Sequence, residues 1–96
     1  MTNRSIMLLK NIQGESYEGK KGIAKEILTI EFKKIIAQAK KFSQSYDEDT
    51  LVNTILNIKD SEELFIYLDS LSVVEISLLS SYGIDISFMN LLKVSE

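Results

Sequence analysis

An all-α fold is expected from three features of this 96-residue sequence. Proline is absent and three of the four glycines fall between residues 14 and 22, so little interrupts a helical pattern elsewhere. Ala24, Leu28, Phe32, Ile35, Ala39 and Phe42 recur at steps of three and four. Three helix-capping signatures punctuate the second half. Together they predict one long central helix, about 23–43, packed by four or five short helices in a single domain spanning 1–96.

The elements follow in chain order. Asn3 to Ile12 reads as a short helix with Thr2 or Asn3 as its cap and Ile6, Leu8, Leu9 and Ile12 inward; a strand is the weaker alternative. Residues 13–22 hold three glycines and read as a Gly-rich loop. The long helix follows, with Ile23, Ile27 and Ile30 widening its apolar stripe. Lys25, Lys33, Lys34, Lys40 and Lys41 occupy much of its remaining surface. Ser45-x-x-Glu48, Asp60-x-x-Glu63 and Ser72-x-x-Glu75 each precede an apolar run. In each, a short side chain can accept from an orphan amide and a carboxylate can reach back. Phe65-Ile66-Tyr67 suits a buried strand as well as a helix, and the capping signature ahead of it favours the helix. Gly83 is expected to end the next helix in a left-handed conformation. Asp85 or Ser87 is expected to cap a last helix holding Phe88, Met89, Leu91 and Leu92.

Composition excludes much chemistry. The chain is 45% apolar and 26% charged, which suits a folded domain and not a disordered tail. Cysteine is absent, which removes disulfides, thiolate nucleophiles and Cys-based zinc sites. Histidine is absent, which removes the usual general base near neutral pH and the commonest metal ligand. Ser-His-Asp and Cys-His machinery are therefore impossible. The expectation is a non-enzymatic protein with no cofactor and no metal. Its longest apolar run, Leu64 to Leu68, is far short of the roughly 20 residues a membrane span needs. Ile6-Met7-Leu8-Leu9 is cut off by Lys10, too soon for a signal-peptide core. No membrane association and a cytoplasmic location are expected.

Charge is unevenly distributed. Residues 1–46 carry nine cations against four acids, a net of +5, and residues 47–96 carry two against ten, a net of −8. The halves could neutralise each other by packing, or the acidic half could steer a basic partner. The lysines lack interleaved aromatics that would stack bases, since only Tyr17, Phe32 and Phe42 lie near them, so direct nucleic-acid binding is not expected.

Three local motifs carry possible chemistry. Gly14-Glu15-Ser16-Tyr17-Glu18-Gly19-Lys20-Lys21 approaches the phosphate loop, but Lys21 stands where a hydroxyl should bind magnesium. A flexible basic loop is the simpler reading. Asp47-Glu48-Asp49 lacks the glycine and final glutamate of a calcium loop, and a helix amino terminus explains three acids more simply. Leu68-Asp69-Ser70-Leu71 followed by Val74-Glu75-Ile76, with Tyr82-Gly83-Ile84-Asp85-Ile86-Ser87 beyond, resembles the modification site of acyl and peptidyl carrier proteins over residues 69–92. That resemblance implies a phosphopantetheine arm on Ser70 at the opening of a helix. The chain departs from the pattern in lacking the glycine before Asp69 and in a Glu75–Tyr82 interval two residues short.

The sequence is also similar in kind to small bacterial helical immunity and antitoxin-type proteins, with which it shares no motif. The similarity rests on small size, lack of catalytic residues and charge polarity. It implies an inhibitor that occludes the basic active site of a toxin, such as a nuclease, as a heterodimer with its target. The expected contact residues are Asp47, Glu48, Asp49, Asp60, Glu62, Glu63 and Asp69, with Tyr46 as an anchor. The alternative is an atypical carrier in which Ser70 is modified.

Overall fold

The computed structural model describes residues 1–46 and 48–93. Five α-helices follow one another: α1 (Asn3–Lys10), α2 (Tyr17–Ser45), α3 (Thr50–Leu56), α4 (Ser61–Ser70) and α5 (Val73–Ser81). Short 3-10 segments lie at Ile12–Gly14 and Ser87–Leu92. No strand occurs among the described residues. The expected architecture is present: α2, at 29 residues, is the spine, and α1, α3, α4 and both 3-10 segments pack on it.

Apolar spacing explains which face of α2 turns inward. Ala24, Ile27, Leu28, Ile35 and Ala39 are fully buried, while Phe32 and Phe42 flank them half-buried. They meet Val52 and Ile55 of α3, and Leu64, Phe65 and Leu68 of α4. Each valine, leucine, isoleucine or phenylalanine among them contributes about 1.5–3 kcal/mol when fully buried. α5 rests on the 3-10 helix Ser87–Leu92, which fills the remaining space with Phe88, Met89 and Leu92.

Residues 64–68 are helical and not a strand. Leu64, Phe65 and Leu68 are buried while Ile66 is exposed, which is helical and not alternating periodicity. Asp60 opens α4 by accepting from the Glu63 amide at 2.8 Å. The Glu63 carboxylate reaches one residue further back than a capping box requires, to the Lys59 amide. Ser72 and Glu75 form the complete reciprocal box at the start of α5. Between α4 and α5 the chain turns through 120°. Gly83 adopts φ +93, the left-handed conformation expected after α5.

Several boundaries differ from expectation. The long helix begins at Tyr17, so the Gly-rich stretch 13–22 is not a loop beyond Ser16. Ser16 accepts from the Gly19 amide, and that cap offsets part of the propensity cost of Gly19 and Gly22, about 1 kcal/mol each. The phosphate-loop resemblance ends here, because Gly19, Lys20 and Lys21 are inside a helix. Ser45 does not cap α3 but ends α2, and Asp49 is the cap, accepting from the Val52 amide at 3.0 Å. Glu48 and Asp49 therefore precede the first turn of α3 and do not lie within it. The last element is a 3-10 helix without a side-chain cap. Asp85 is drawn away from it by Lys34 of α2 at 3.0 Å and by Gln38, which also accepts from the Asp85 amide.

Candidate functional site

The carboxyl end of α2 carries an aromatic stack. Phe42 and Tyr46 are one helical turn apart and share a face, with ring centroids 4.9 Å apart. Tyr82, which ends α5, lies against the same Phe42 ring at 3.9 Å and nearly parallel. Gly83 makes this placement possible by turning the chain directly after Tyr82.

Acids frame the stack. The Tyr82 hydroxyl donates to Asp49 Oδ2 at 3.0 Å, while Asp49 Oδ1 accepts from the Val52 amide. That hydrogen bond to Asp49, with burial and the carboxylate charge acting the same way, raises the Tyr82 pKa. Glu48 has φ 71, a conformation costly for a residue with a side chain. An open cleft of about 580 Å³ is lined by Phe42, Tyr46, Glu48, Asp49, Ser81 and Tyr82. The three aromatic residues also line a second groove of about 350 Å³, with Gln38, Lys41 and Ser45. Two acids line the first groove, and one lysine lines the second.

Only part of the expected contact set comes together here. Tyr46, Glu48 and Asp49 line one cleft, and Tyr46 is 63% exposed. Asp60, Glu62 and Glu63 lie elsewhere, at the start of α4, where the Ser61 hydroxyl meets Thr29 midway along α2. Thr29 and the end of α2 are about 24 Å apart along the helix axis. Asp60 and Glu63 are engaged with helix amides there, and Glu62 is exposed. Asp69 stands at the far end of α4, where its backbone carbonyl accepts from Lys93 Nζ. Asp47 lies outside the described residues. Ser70 is the last residue of α4, exposed, with its hydroxyl donating to the Tyr67 carbonyl, and it does not open a helix as the carrier resemblance implies.

The two charged halves are scarcely neutralised by contact. Of the four ion pairs among the described residues, only Lys34–Asp85 joins them. No three carboxylates among the described residues converge on a metal position. Among the described residues, no single helix is long and apolar enough to cross a membrane.

Among the described residues, the one buried acid belongs to the scaffold. Glu31 is 2% exposed, and its carboxylate accepts from the Ser5 hydroxyl at 2.6 Å and from the Thr2 amide and hydroxyl. Lys34 Nζ lies 3.2 Å from its other oxygen. Burial pushes its pKa up, but these donors outweigh burial and bring it to about 2. The cluster fastens α1 to α2.

Sequence reasoning missed Phe42, Ser81 and Tyr82 as lining residues. Phe42 reads as one more member of the apolar stripe, and Tyr82 as the first residue of the carrier-like stretch Tyr82–Ser87. Their meeting depends on where α5 ends in space, which no local spacing encodes. Comparison with protein-family models, with curated proteins and with solved structures finds no match to this chain.

Proposed function

We propose that this protein is a non-enzymatic binding module of the immunity or antitoxin type, which occludes the basic active site of a partner toxin. Its contact face is the aromatic and acidic cleft of Tyr46, Glu48, Asp49 and Tyr82. The observation that carries the reading is an exposed Tyr46 beside Glu48 and Asp49, in a cleft that no described cationic side chain lines. Tyrosine is enriched at interface centres, and acids around it complement a partner of opposite charge. The −8 of the second half, joined to the first by one ion pair among the described residues, supports steering of a basic partner. Asp60, Glu62, Glu63 and Asp69 add to the long-range field from outside the cleft. The setting proposed is the cytoplasm, where the protein pairs with its target as a heterodimer.

Native mass spectrometry of the protein from its own cells tests this. The expected result is an unmodified chain bound one-to-one to a basic protein whose activity returns on dissociation. Glu48→Lys should slow association at least about tenfold at low salt, and Glu62→Lys far less. A phosphopantetheine mass on Ser70 would replace this reading with the carrier one.

A further inference from the structure

We propose that the cleft beside Tyr46 receives the side chain of one arginine of the partner protein. The inference rests on the docking role proposed above and gives it a specific chemistry. A volume of about 580 Å³ lies within the range of pockets that hold small groups, and it is open on the side where Tyr46 and Glu48 are exposed. Tyr46 stacks one ring face on Phe42 at 27° and is 63% exposed, so its opposite face is open to a guest. Its charge comes from Glu48 and Asp49. Asp49 is engaged with Tyr82 and the Val52 amide, and no described residue hydrogen-bonds to or pairs with the Glu48 carboxylate.

A cation is therefore the complementary guest, and the open Tyr46 face selects among cations. A guanidinium is planar, so it can lie on an aromatic face while its edge donors reach a carboxylate beside the ring. An ammonium offers a compact charge without that second geometry. The protein's own Lys41 lines the neighbouring groove and not the cleft. Tyr46 would supply the stacking face and Glu48 the paired carboxylate, with Asp49 adding charge. The left-handed φ of 71 at Glu48 accompanies this placement of an acid at the rim.

The test titrates the intact chain with N-acetyl-arginine methylamide, and separately with the lysine analogue, following backbone amides by NMR. Saturable shifts are expected at Tyr46, Glu48, Asp49, Ser81 and Tyr82, with the arginine probe the tighter. Glu48→Gln should weaken the arginine probe about fivefold. Tyr46→Leu should erase most of the preference for arginine over lysine. Both side chains are exposed, so neither substitution should disturb the fold, and unchanged amide dispersion elsewhere checks this. Shifts spread equally over Glu62 and Glu63, equal affinity for both probes, or indifference to both substitutions would overturn the inference. The docking role is read separately. If the probe fails while Glu48→Lys still slows the partner, the arginine pocket falls and the docking face stands. If the probe binds as expected while Glu48→Lys leaves the partner unaffected, the pocket stands and the docking role falls.

Discussion

Tyr82 and Asp49 are joined by a 3.0 Å hydrogen bond across 33 residues of sequence, so one carboxylate both caps α3 and holds the end of α5. The phenol is the donor, so it resists ionisation. Tyr67 is raised as well, first by burial, with Glu75 and Asp49 adding repulsion against an opposing hydrogen bond to Thr54. Two of the four tyrosines should therefore titrate above the ordinary tyrosine value when phenolate absorbance is followed. Tyr82→Phe should remove one late step, and Asp49→Asn should move that step down. A raised folded pKa means the stabilising proton is retained below about 10 and lost as pH rises through the folded value. Alkali should thus loosen the contact between α3 and α5 before α2.

Acid should act at the opposite end of the scaffold. Glu31 is held at about 2 against an ordinary value of 4.5. Its carboxylate stabilises the fold fully above 4.5, and that contribution is lost as pH falls from 4.5 towards 2. The span corresponds to about 3 kcal/mol. Urea unfolding at pH 7, 4 and 3 should show this decline. Glu31→Gln should be less stable at pH 7 and show a shallower dependence below pH 4.5. A variant with the wild-type slope would show that another acid governs the transition.

Glu48 carries backbone strain that a glycine would not feel. Glu48→Gly should raise stability by about 0.5–1 kcal/mol in chemical denaturation, because relief of the left-handed conformation slightly exceeds the added chain entropy. The same substitution should weaken capture of a basic partner. A variant both more stable and fully binding would separate the strain from the site.

The Ser72–Glu75 box is expected to matter more than its exposed position suggests. Ser72→Ala should cost about 1 kcal/mol in urea unfolding, through the lost acceptor for the Glu75 amide. Ser70→Ala, whose hydroxyl bonds only a nearby carbonyl, should change stability by less than about 0.5 kcal/mol.

The fold was more legible in the sequence than the site. Steps of three and four fixed the inward face of α2, and the signatures at Asp60 and Ser72 located α4 and α5, because both signals act within one or two turns. The start of α2 was misread because glycine count outweighed one serine cap. Ser45 resembled a cap as closely as Asp49 did, and only the backbone path separates them. The cleft was half visible: Tyr46, Glu48 and Asp49 are contiguous with a conspicuous acidic run. Phe42 and Tyr82 were not, since their contact arises from the packing of α5. Asp60 and Glu63 read in the sequence both as a helix cap and as contact acids, and the cap is what the structure displays, because it acts within one turn.

The 120° corner between α4 and α5 has a consequence for how an apolar stretch is covered in a small domain. Straightened into one rod, residues 61–81 would be apolar enough, over enough length, to pass for a bilayer-crossing segment. A rod of that composition would offer apolar surface to more than one side. The Ser72 box divides it into two pieces, so that α4 packs on the spine while α5 packs on the closing 3-10 helix. Two hydrogen bonds at a bend thus accompany the sharing of one greasy segment between two separate neighbours.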